Sequence, residues 1–250
     1  MSTRRLEGKR ALVTGASAGI GAATARALAA EGAELVLCAR RAERLDALAA
    51  ELGGAQTVAL DVRDAAAMKS AFEGETFDIV LANAGLGRGL GKIGDGDPAD
   101  WAEMMDTNVG GVLHTVHATL PAMLARGAGD FVVLGSVAGR EVYPGGNVYC
   151  ASKHAVRGVY KALRRDHYGS GVRFTTVDPG MVETEFSLVR FHGDAEAADA
   201  MYKGMTPMRP EDVAESVLFA VTRPPHVNIG EIVMWASAQG ATWLCARDEG

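Results

Sequence analysis

Tyr149 and Lys153 stand four residues apart in Val-Tyr-Cys-Ala-Ser-Lys-His-Ala-Val, a stretch with helical patterning. On a helix that spacing puts phenol and ammonium on one face, within reach of a common ligand. A free phenol has a pKa of about 10 and is a poor base near neutral pH. A cation held close favours the phenolate and lowers that value. The pair is therefore a candidate acid/base for moving a proton to or from an alcohol oxygen. Ser136, 13 residues before Tyr149, ends a strand pattern. Its hydroxyl there either bonds a substrate oxygen or caps the loop.

A second chemistry lies near the N-terminus, in Thr14-Gly15-Ala16-Ser17-Ala18-Gly19-Ile20-Gly21. Glycines between a strand and a helix permit a tight turn and let a pyrophosphate approach the helix N-terminus, where free amides and the dipole favour an anion. The spacing Gly-x-x-x-Gly-x-Gly differs from the commoner dinucleotide fingerprint. The segment also matches Gly-x-Ser-x-Gly, the serine-hydrolase elbow, with Asp178 and His192 in triad order. That elbow normally follows several strands, whereas Ser17 follows the first, and a hydrolase leaves Gly21, Tyr149 and Lys153 without a purpose. At the end of the second strand an NAD-selective site places an acid. Here the chain reads Cys38-Ala39-Arg40-Arg41. Guanidinium groups suit a 2′-phosphate, which favours NADP(H) over NAD(H).

These residues need elements to hold them. Strand patterns fall at Arg10–Thr14, Glu34–Ala39, Gln56–Leu60, Phe77–Ala82, Phe131–Gly135, Val172–Val177 and Glu231–Trp235. Helical patterns fill the gaps at Ile20–Glu31, Ala42–Leu52, Asp64–Phe72, Pro98–Arg126, Val148–Tyr168 and Pro210–Val221. Strands alternating with helices predict right-handed βαβ units and a parallel sheet covered on both faces. The expectation is one Rossmann-type, doubly wound α/β domain over 1–250 with a seven-stranded parallel sheet, its ligand beyond the carboxyl ends of the strands. Gly85–Asp97 and Gly180–Asp194 read as irregular, and a substrate loop is expected over about 180–205. Asn108 falls inside the longest helix pattern, where asparagine is a mediocre helix former, so it calls for a buried backbone bond or a local break.

Net charge is −6, which gives a nucleic-acid surface no support. Cys38, Cys150 and Cys245 show neither metal spacing nor a disulfide framework. The basic residues Arg4, Arg5, Lys9 and Arg10 precede an apolar stretch, but it breaks at Thr14-Gly15, unlike a signal peptide. No run approaches the ~18 apolar residues of a membrane span. A cytoplasmic protein with no bound metal and no nucleic-acid or membrane partner is expected.

Taken together, Thr14-Gly-x-x-x-Gly-x-Gly21, Asp61, Asn83-Ala-Gly85, Asn108, Ser136, Tyr149-x-x-x-Lys153 and Pro179-Gly180 with Thr184 resemble the short-chain dehydrogenase/reductase family over nearly the whole chain. The resemblance implies Tyr149 as general acid/base and Lys153 on the nicotinamide ribose, lowering the phenol pKa. It implies Ser136 on the substrate oxygen and Asn108 holding a relay water. The cofactor would run along Gly15, Ser17, Gly19, Ile20, Gly21, Arg40, Arg41, Asp61, Val62, Asn83, Gly85, Tyr149, Lys153, Pro179, Gly180, Val182 and Thr184. Of these, Asp61 would contact adenine, Asn83 and Gly85 would follow the adenosine ribose, and Thr184 would hold the carboxamide. Ala82 stands where the family often has a second asparagine.

The segments 184–194, 210–215 and 225–229 resemble NADP-dependent 3-hydroxy acid dehydrogenases and related reductases of small aldehydes, sulfoacetaldehyde among them. By that likeness the protein would be a homotetramer. An acid substrate needs a cation: Arg190 is the first candidate and Arg157 the second, four residues past Lys153. Residues 236–250 receive no role. A nucleotide-binding sensor without turnover is the alternative class, although such a protein could dispense with Ser136, Tyr149 or Lys153.

Overall fold

The computed structural model describes residues 4–248, so residues 1–3 and 249–250 of the expected domain lie outside the described residues. Seven parallel strands form one sheet: β1 (Arg10–Thr14), β2 (Glu34–Ala39), β3 (Gln56–Ala59), β4 (Ile79–Ala82), β5 (Gly129–Leu134), β6 (Val172–Pro179) and β7 (Glu231–Met234). Their order is β3-β2-β1-β4-β5-β6-β7. The order reverses between β1 and β4, which opens a crevice at their carboxyl ends. Nine helices are described: α1 (Gly19–Ala30), α2 (Ala42–Glu51), α3 (Ala65–Phe72), α4 (Pro98–Met105), α5 (Gly111–Arg126), α6 (Asn147–Asp166), α7 (Phe186–Arg190), α8 (Ala195–Ala200) and α9 (Pro210–Val221).

The central strands β1, β2 and β4 are apolar on both faces because both are covered. Along β1, Ala11 and Val13 join one core layer with Leu28 of α1 and Val217 of α9. Leu12 points the other way, into a layer with Phe72, Phe131 and Tyr160. Each such Val, Leu or Phe side chain, fully buried, contributes about 1.5–3 kcal/mol. Helix starts follow local chemistry. Asp64 accepts from Ala67 N at 2.9 Å to cap α3, and Asp97 accepts from Ala99 N at 2.8 Å ahead of Pro98.

Most expected elements form, with ends shifted by a residue or two. The long helix expected over Pro98–Arg126 does not run through. A π turn at Asp106–Gly110 separates α4 from α5. Its cause is Asn108, whose amide reaches sideways to the Leu86 backbone: Oδ1 accepts from Leu86 N at 2.8 Å and Nδ2 donates to Leu86 O at 2.8 Å. The second difference is Gly180–Asp194, expected to be irregular, which contains α7 and leads into α8. Both helices are shorter than two turns, so they show no readable period.

Candidate active site

The phosphate end of the crevice is built from β1, α1 and the end of β4. Gly15 has φ +66°, and a Cβ there would lie 2.7 Å from Asn83 Nδ2 and 2.9 Å from Ala84 Cα. At Gly21 a Cβ would run into the Gly15 carbonyl and the Asn83 amide. Asn83 Nδ2 donates to Thr14 O at 2.8 Å and Gly15 O at 3.2 Å. The side chain of Asn83 therefore braces the turn. Gly21 also works by packing, since it lies beneath the turn and is absent from the cavity wall, whereas Gly15, Ser17, Gly19 and Ile20 line it. Ala18 at the α1 N-cap supplies no side-chain acceptor, so the first amides remain available to an anion.

The same cavity, of about 770 Å³, extends along the sheet edge and collects most of the expected site residues. Ser136 follows β5. Its Oγ accepts from Ala138 N at 3.1 Å and donates to Pro179 O at 3.4 Å. Tyr149 and Lys153 project from α6 into this region. Lys153 is 6% exposed and its Nζ donates to Leu134 O at 3.0 Å. Burial pulls the ammonium pKa down to about 8, opposed by the negative charge of Asp178.

The expected lowering of the phenol pKa by Lys153 is corrected here. Burial pushes Tyr149 up to about 12, and neighbouring Tyr143 adds to the rise. The leading opposing cation is Arg190, followed by a hydrogen bond with the Ser136 side chain. Lys153 is turned toward the Leu134 carbonyl and is itself destabilised as a cation. Asn108 is buried one layer back from the cavity: Nδ2 also donates to Ser152 Oγ at 2.9 Å, and a Cβ on Gly85 would lie 3.1 Å from Oδ1 and 3.7 Å from Lys153 Nζ.

At the ends of β2 and β3, Arg40, Arg41, Asp61 and Val62 line the cavity. Arg41 donates to Ser17 Oγ through Nε and Nη2, at 3.1 and 3.0 Å. The Asp61 carboxylate is held by Arg63, at 2.7 Å from Nη2. At the opposite end, Pro179, Gly180, Val182 and Thr184 form the wall after β6. Arg190 is 5% exposed, donates from Nη2 to Tyr143 Oη at 2.8 Å, and has no carboxylate partner among the described residues. Its Nε is buried and lacks a hydrogen-bond partner among them. Such a guanidinium, walled by aromatic rings in a cavity, is a ready anion site.

Residues 9–193 match the family model described as short chain dehydrogenase. The chain belongs to the short-chain dehydrogenase family. An uncharacterised oxidoreductase of Mycobacterium tuberculosis is 48% identical over 234 residues, covering 94% of this chain and 93% of that one. An NADP-dependent 3-hydroxy acid dehydrogenase of Schizosaccharomyces pombe is 41% identical over 247 residues, covering 94% and 95%. Among solved structures, a serine dehydrogenase in its closed form complexed with NADP+ superposes with TM-score 0.91 at 38% identity, over 96% of this chain and 100% of that one.

Against this family background two sequence readings fall away. Arg157 does not line the cavity. It faces Glu231 at 3.7 Å, because the turn of α6 between it and Lys153 carries it toward β7. The hydrolase triad is not assembled either: Ser17 is held by Arg41, Asp178 by Arg140 at 2.7 Å, and His192 pairs with Asp100 at 3.0 Å. In this short-chain dehydrogenase the sequence reading also missed residues. Tyr143, Tyr202, Gln239 and Trp243 line the cavity. Gln239 Oε1 accepts from Met181 N at 2.7 Å, tying the C-terminal segment to the wall after β6. The one available signal was a polar and aromatic cluster in a tail that otherwise lacks periodicity. No helix among the described residues is long and apolar enough to cross a membrane.

Proposed function

We propose that the protein is an NADP(H)-dependent dehydrogenase/reductase that interconverts a small hydroxy acid and its carbonyl compound, with Tyr149 as general acid/base. The observation that carries this reading is the meeting of Ser136, Tyr149, Lys153 and an anion-seeking Arg190 in one cavity with the glycine turn and Arg41. The residues fit a dinucleotide. Gly15 and Gly21 leave no room for a Cβ inside the turn that shapes the cradle, Ser17 and Gly19 line it, and the end of β2 carries Arg40 and Arg41 in place of an acid.

When bound, the nicotinamide supplies or accepts the hydride at the carbinol carbon. The chain's own residues handle the proton and the orientation. With its pKa near 12 in the free protein, Tyr149 holds its proton at neutral pH and is poised to give it to a forming alkoxide. In oxidation it takes the hydroxyl proton, and the Arg190 guanidinium offsets the phenolate. Ser136 Oγ donates to the substrate oxygen. Asn108 acts behind Gly85 and Lys153, from the π turn, where it would hold a relay water. Arg190 takes the acid group of the substrate, a carboxylate or sulfonate, and the α7 segment shields the site from water.

The test is absorbance at the reduced-nicotinamide band with both cofactors and a panel holding serine, 3-hydroxyisobutyrate, neutral alcohols and sulfonated aldehydes. Turnover of small acids with the 2′-phosphorylated cofactor is expected. Cofactor binding with no turnover across the panel would leave the sensor reading standing. The family likeness also supports a homotetramer, which light scattering checks.

A further inference from the structure

The α7 segment brings a carboxylate to the end of β2. Glu185, the residue before α7, accepts from Arg41 Nη1 at 2.9 Å and from Arg44 Nη1 at 2.5 Å. The other edge of the Arg41 guanidinium is the one bound to Ser17 in the glycine turn. Three segments distant in sequence thus meet at one cation, and Ser17, Arg40, Arg41 and Glu185 all line the cavity. Arg41 is 44% exposed and Glu185 40%, so the link is a solvated one that can open at small cost. Arg44 and Arg41 hold the Glu185 carboxyl below its usual range, so it is charged at neutral pH.

A 2′-phosphate carries roughly two negative charges and seeks the same guanidinium groups. Beside Glu185 it would meet a like charge a few ångströms away unless the carboxylate withdraws. The Phe186 ring, next in the chain, packs edge-on to the Tyr149 ring with centroids 5.4 Å apart. Glu185 is thus one residue away from a contact with Tyr149.

We infer that Glu185 is a cofactor-selectivity residue: an anion built into the chain that occupies the Arg41–Arg44 pair and that a 2′-phosphate must displace. The inference rests on reading Arg40 and Arg41 as a phosphate site. It is tested by calorimetric binding of adenosine 2′,5′-bisphosphate and adenosine 5′-monophosphate to the full-length protein and to Glu185→Gln, at low and high salt.

Glu185→Gln is expected to bind the bisphosphate about fivefold more tightly and the monophosphate within about twofold of wild type, with the gain shrinking as salt rises. Glu185→Asp, which keeps the charge, is expected to stay near wild type. Unchanged or weaker bisphosphate binding by Glu185→Gln, or an equal change for both ligands, overturns the inference. So does an Asp variant that matches the Gln variant. The wild-type ratio tests the phosphate site separately: equal affinity for the two ligands sinks that reading, whereas a wild-type preference left untouched by Glu185→Gln sinks only the role of Glu185.

Discussion

The guanidinium carbon of Arg190 lies 4.9 Å from the centroid of the Tyr149 ring. One cation thus faces both the Tyr149 ring and the cavity in which the proposed substrate acid would sit. It lowers a phenol pKa that burial and Tyr143 raise. On the proposed function, substrate anchoring and proton chemistry would share a residue.

Replacing Arg190 with Met should therefore have two effects. The KM for an acid substrate should rise about tenfold or more, the loss of a charge-assisted bond, with the cofactor's KM little changed. The rising limb of the oxidation pH–rate profile should also move to higher pH, because Tyr149 must shed its proton to act as base there and has lost its leading opposing cation. Initial rates across pH with an acid and a neutral alcohol check both. An unchanged KM for the acid would remove Arg190 from substrate binding.

Tyr149→Phe removes the proton donor while keeping the ring against Phe186. Turnover should fall by about a hundredfold or more, and cofactor affinity, measured by fluorescence titration, should stay close to wild type. Near-normal turnover would defeat the assignment.

Lys153 carries a stability signature. Its pKa in the fold is about 8, below the ordinary 10.5. Below pH 8 the folded and unfolded chains both hold the proton, and the folded chain bears the full cost of burying it. Between pH 8 and 10.5 the folded chain loses that proton first, and the cost fades. Lys153→Met should therefore be more stable than wild type at pH 7, by about 1–3 kcal/mol, with the gap closing as pH rises through that window. Urea melts at pH 7 and 10 read the difference, and an equal gap at both would contradict it. Activity should be lost throughout.

Gly21→Ala tests the packing of the turn. Its added Cβ meets backbone oxygen and the Asn83 amide, so the β1–α1 turn must shift. A loss of about 1–3 kcal/mol is expected in denaturant melts, with dinucleotide binding weakened in calorimetry. A variant as stable as wild type would mean that the turn yields freely.

The sheet and the meeting of Tyr149 and Lys153 in one cavity were legible in sequence because each rests on local repetition: strand periods, glycine spacing and a four-residue helical step. Asn108 announced itself by misfitting its helix, and the π turn is the answer to that misfit. Other features had no local trace. Arg41 meets Glu185 across 144 residues, and Arg190 meets Tyr143 across 47. Arg157 looked equivalent to Arg190 by charge, but the rise of one helical turn, about 6 Å, carries it past the cavity to Glu231. The direction of the Tyr149 shift follows from how deeply the fold buries the phenol, which spacing alone does not reveal. Gln239 and Trp243 reach the cavity because the tail folds back, with Ala246 N donating to Ala238 O at 2.8 Å.

The π turn at Asp106–Gly110 takes up one residue more than an ordinary turn, so everything beyond it is rotated by about 100° from a continuous rod. That offset lets α4 rest on α6 while α5 rests on α3. Deleting any single residue of the five would knit the two helices together and force one of them to present its solvent stripe to the interior. Chain length is fixed to the residue at this place, a constraint that the exposed stretch around Leu90–Gly96 escapes.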